Sequence, residues 1–84
     1  MASPNEPANL SVEQVRDLHG KLSTMRHDVN NELSKIAAAL ELIHRRPEAR
    51  ERVWPALIEQ PRKVAEIIAQ FSKELETALN LKRP

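Results

Sequence analysis

Five consecutive residues, His27-Asp28-Val29-Asn30-Asn31, bring an imidazole, a carboxylate and two amides into little more than one helical turn. A neutral imidazole held in solvent is a nucleophile at a ring nitrogen. Asn31 lies one turn beyond His27, where side chains on a helix meet, so its amide can orient the ring or an attacking water. The competing reading is an ordinary solvated histidine beside ordinary surface residues. Asn30 and Arg26 carry no assigned role. His19 and His44 lack partners at any metal-ligand spacing, and no glycine-rich phosphate loop or Ser/His/Asp arrangement is present. The sequence therefore implies no cofactor and no metal of its own.

The element that must position this cluster is a long helix. At about 100° per residue with His27 at the origin, Leu18, Leu22, Met25, Val29, Ile36, Leu40 and Ile43 fall on the opposite side. Gly20, Ser23, Asn31, Ser34 and Ala38 surround the histidine, so His27 faces out among small or uncharged neighbours. That face suits docking by another protein, with Gly20, Ser23 and Ser34 as candidate contacts. Gly20 weakens a helix interior by roughly 1 kcal/mol relative to alanine, which reads either as close approach by a partner or as simple tolerance. The apolar steps form a near-heptad seam with a one-residue slip between Val29 and Ile36, which either unwinds the helix locally or is harmless.

The ends of this helix are marked. Ser11 is a good N-cap, Gln14 completes a capping box and Leu10 can staple onto Val15. Pro47 disfavours helical geometry in the residue before it, which places helix 1 over about residues 11–45. A second helix is expected over about residues 48–80, with kinks or a break near Pro55 and Pro61. Its apolar face carries Val64, Ile67, Ile68, Phe71, Leu75 and Leu79. Residues 1–10, with two prolines and little apolar content, read as a flexible tail, and the end from Leu81 onward as frayed.

Eighty-four residues make one small domain, and two helices of that size cannot surround a core. With aromatics limited to Trp54 and Phe71, the buried surface must come from aliphatic residues, the material of a helix bundle. The expected fold is all-α: an antiparallel two-helix hairpin that pairs with a second copy into a homodimeric four-helix bundle. A net charge of +1, from 13 basic and 12 acidic residues, gives no field that argues for nucleic acid or an anionic membrane. Cysteine is absent, no apolar run reaches membrane-span length and no signal peptide is visible, which together read as cytoplasmic.

The string His27-Asp28-Val29-Asn30-Asn31, followed by Leu33, Ile36 and Leu40-Glu41-Leu42, resembles the phosphoacceptor box of the dimerisation and histidine-phosphotransfer domain of bacterial sensor histidine kinases. Val64 to Ser72, ending in Phe71-Ser72, is similar to the second helix of that domain. The resemblance spans roughly Leu18 to Leu75. It implies that His27 accepts a phosphoryl group, that Asp28 orients or deprotonates the ring, and that Asn31 serves transfer and the dephosphorylation of a partner. The partners it implies are a response-regulator receiver domain, which would bring the acceptor aspartate and Mg²⁺, and a histidine kinase. Glu32 departs from the pattern, since the family often has proline or an apolar residue there, and the connection between helices is shorter than in many members.

No segment corresponds to the family's ATP-binding domain, so the expectation is not a complete kinase. Three functions are consistent with the sequence: a histidine phosphotransfer protein working through His27; a non-catalytic kinase-like dimerisation module that docks and regulates kinases or receivers; and a structural hairpin whose histidine box is incidental.

Overall fold

The computed structural model describes residues 10–80, which form two long helices lying side by side. Helix α1 spans Val12–Arg45, a single 3₁₀ turn covers Pro47–Ala49, and helix α2 spans Arg50–Ala78. No strand occurs among the described residues. The tail expected over residues 1–10, apart from Leu10, and the end expected to fray from Leu81 lie outside them.

The start of α1 is fixed by a reciprocal cap. The Gln14 N–H donates to Ser11 Oγ at 3.1 Å, and the Ser11 N–H donates to Gln14 Oε1 at 2.8 Å. The helix stops at Arg46, held at φ −134° and ψ 83° because Pro47 excludes the helical conformation from the residue before it. The Arg46 N–H still donates to the Leu42 carbonyl at 2.8 Å, and the Ala49 N–H closes the turn onto the Arg46 carbonyl at 2.9 Å. Among the described residues Ala49, in the turn, is the most buried apolar one, at 3% exposure.

Helix α2 runs uninterrupted through Pro55 and Pro61. Each ring removes one helical hydrogen bond, from the carbonyls of Glu51 and Leu57, yet both rings sit on the exposed side, where they meet no neighbouring helix. Just past its end, Asn80 has a φ of 57°, the left-handed conformation common beyond a helix C-terminus.

The helices meet along regular heptad seams. Half-buried residues of α1 include Leu18, Leu22, Met25, Val29, Glu32, Ile36, Ala39 and Ile43; those of α2 include Val53, Leu57, Val64, Ile67, Phe71 and Ala78, with Gln60 buried among them. The slip suggested by the apolar spacing is not a slip in the packing. Glu32 takes the inward position between Val29 and Ile36, while Leu33 points outward at 49% exposure. Between the helices, Lys21 reaches Glu74 at 4.0 Å while holding Asp17 at 3.2 Å. On α2, Arg62 pairs with both Glu59 and Glu66, and the hydrogen bond that its Nε–H donates to Glu59 raises its pKa beyond the already high guanidinium value.

The molecule is one layer thick. Its smallest dimension, 13 Å, is close to the roughly 10–12 Å diameter of a single helix, and its 18.3 Å radius of gyration exceeds the roughly 12 Å of a compact chain of this length. Each helix therefore has a wet outer side, and among the described residues only Ala49 and Gln60 are buried. Several large apolar side chains remain outside the seam: Val15, Leu33 and Leu40 on α1, and Trp54, Ile58 and Ile68 on α2. On α2 they belong to a second 4-3 repeat, Trp54-Ile58-Pro61-Ala65-Ile68-Ser72-Leu75-Leu79, offset by one residue from the inner seam.

Candidate functional site

His27 lies midway along α1 on the side away from the apolar positions, and its side chain is 82% exposed. It gets there by phase: its neighbours in the heptad, Met25 and Val29, are drawn toward α2, which turns the ring outward. The imidazole meets Asp28, Nδ1 to Oδ1 at 3.4 Å, with Asp28 51% exposed. This contact was not expected on helix geometry, since adjacent residues point about 100° apart. The rotamers of both side chains bring them together.

The contact gives the two ring nitrogens different roles. An ionised carboxylate only accepts, so the arrangement favours the tautomer in which Nδ1 carries the proton, leaving the Nε2 lone pair free toward solvent. At 3.4 Å the bond is long and weak, enough to bias the ring rather than clamp it. Asn31 is exposed on the same side but makes no hydrogen bond to the ring. Asn30, Arg26, His19 and His44 are likewise exposed. Among the described residues, no three His, Asp or Glu side chains converge in a way that could hold a metal ion.

Beside the box runs a groove of about 680 Å³ between the helices. Its α1 wall carries Asp17, Gly20, Lys21, Thr24 and Asp28, and Met25, Ile67 and Phe71 contribute its apolar surface. Gln70 and Glu74 line it from α2. Of the three residues expected to dock a partner, Gly20 lines this groove, whereas Ser23 and Ser34 are exposed outside it. A Cβ built on Gly20 would meet nothing within 4 Å, so no packing inside the chain requires glycine there.

The sequence reading missed the groove, because a groove between helices depends on how each is rotated toward the other. Asp28 belongs both to the groove wall and to the contact with His27, so a molecule seated there would touch the group that biases the imidazole. No helix is long and apolar enough to cross a membrane among the described residues. No protein-family model matches the chain, and comparisons with curated proteins and with solved structures likewise found no match.

Proposed function

We propose that this chain is a histidine phosphotransfer protein of a two-component or phosphorelay pathway, working in the cytoplasm, with His27 as its phosphoacceptor. The observation that carries the reading is the pairing of an open imidazole with Asp28 on its Nδ1, next to an interhelical groove. In the step proposed, the Nε2 lone pair attacks the phosphorus of a receiver's aspartyl phosphate. An N–P bond forms as the P–O bond to the aspartate breaks, and the aspartate leaves as a carboxylate. Asp28 holds the Nδ1 proton and stabilises the positive charge that develops on the ring. Transfer is mostly a matter of positioning and of screening phosphoryl charge, and the Mg²⁺ of the receiver would supply that screening. The reverse step returns the group to a receiver, and a histidine kinase is the alternative donor. Asn31, exposed one turn away, would orient a water in dephosphorylation.

The assembly proposed is a homodimeric four-helix bundle. The exposed second seam, with Leu33 and Leu40 on α1 and Trp54, Ile58 and Ile68 on α2, is the surface a second copy would cover. On α1 that seam lies far round the helix from His27, so pairing would leave both histidines outside.

A non-catalytic docking module is the second reading, favoured by the groove itself, which needs no chemistry at His27 to receive a partner. Incubation with a phosphorylated receiver or an active kinase, followed by an acid-labile phosphate assay, separates the two. Phosphotransfer requires label on the wild type and none on His27→Ala; binding without label selects the docking module.

A further inference from the structure

Among the described residues, the two buried side-chain acceptors without a partner lie at one level of the hairpin. Gln60 is 8% exposed and its Oε1 is buried with no hydrogen-bond partner; Glu32 Oε2 is buried and equally without one. The other Glu32 oxygen accepts from Lys35 Nζ at 3.2 Å, so Lys35 serves only half of the carboxylate. Gln60 directly precedes Pro61, which has no N–H to give the Leu57 carbonyl.

These features share a level. Starting from the Lys21–Glu74 contact, Glu32 lies about 17 Å along α1 and Gln60 about 21 Å back along α2, within one helical turn of each other. The seam on either side is apolar, with Met25, Ile67 and Phe71 toward the open end and Ile36, Leu57 and Val53 toward the turn. A buried acceptor without a donor is costly, and water relieves the cost when the layer opens. A proline that removes a helical bond is where a helix bends most readily. Opening therefore costs least at this layer, less than two turns from His27.

We propose that the Glu32–Gln60–Pro61 layer is a flexure point, across which the half carrying the histidine box bends relative to the half carrying the turn. Helix α2 pivots at Pro61, α1 bends without breaking, and the bend hydrates the two orphaned oxygens. This inference stands independently of any phosphotransfer at His27.

Residue-resolved amide hydrogen exchange on the full chain tests it. Amides of Asn31–Leu33 and of Arg62–Val64 are expected to exchange about ten-fold faster than those of Met25–Arg26 and Ile67–Ile68, in line with one missing bond and two unpaired acceptors. Pro61→Ala restores the bond to Leu57 and is expected to slow the fast set; adding Glu32→Leu and Gln60→Leu is expected to bring it to the rate of the flanking layers. Uniform exchange along the wild-type hairpin would overturn the proposal, and so would a fast set unchanged by Pro61→Ala. The wild-type gradient and the single variant decide the matter even where the triple variant does not fold.

Discussion

Replacing Ile68 by lysine should dissociate the proposed homodimer and unfold it together. Ile68 stands in the outer heptad of α2 at 45% exposure, in line with Ile58 and Trp54. Complete burial of an isoleucine is worth about 1.5–3 kcal/mol, so covering the part still open gives about 1 kcal/mol per chain and about 2 for a pair. A lysine there forfeits that gain and brings an ammonium into an apolar seam, adding on the order of another 1 kcal/mol per chain even when the charge escapes to the rim. The sum, about 4 kcal/mol, corresponds to roughly a thousand-fold in the dissociation constant. Because a layer 13 Å thick buries almost nothing alone, folding and pairing should be one equilibrium, with helicity depending on protein concentration. Light scattering for mass and far-ultraviolet circular dichroism across a dilution series measure both. Ser23→Lys, on the exposed side near His27, is the control and should alter neither. A wild type that stays a folded monomer, or an Ile68→Lys variant of unchanged mass and helicity, would refute the reasoning.

Two further outcomes follow from the box and its groove. Gly20→Ala places a methyl group in open space and should stabilise α1 by up to about 1 kcal/mol, raising the melting temperature by about 4–8 °C; no rise in a thermal melt would show that the glycine serves the folded chain after all. Asp28→Asn keeps the shape of the groove wall while removing the charge that favours a proton on Nδ1, so transfer to His27 should fall by at least about ten-fold while receiver binding is retained. Single-turnover phosphotransfer beside a binding titration distinguishes that result from a general loss of docking.

The parts of this hairpin that were legible from sequence are those governed by local chemistry. Ser11 with Gln14, and Arg46 before Pro47, set the limits of α1 through contacts within four residues, and the outward phase of His27 follows from helical periodicity alone. What could not be read depends on the second helix. Ranking positions by apolarity selects Leu33 for the seam, whereas the regular heptad from Val29 to Ile36 requires Glu32; a polar side chain at an inward position makes an unbroken repeat look like a slip. Pro55 and Pro61 left open a break that does not occur, because propensity counts the lost bonds but does not reveal that both rings face away from α1. The contact between His27 and Asp28 hid behind a rule about directions of Cβ that two freely rotating side chains can evade. In each case the pattern describes the backbone, while the outcome rests on which side of that backbone has a neighbour. The same consideration makes the outer stripe of α2 the most informative feature of the fold: its 4-3 spacing repeats that of the inner seam one residue out of phase, a regularity that a permanently wet surface gives no physical reason to keep.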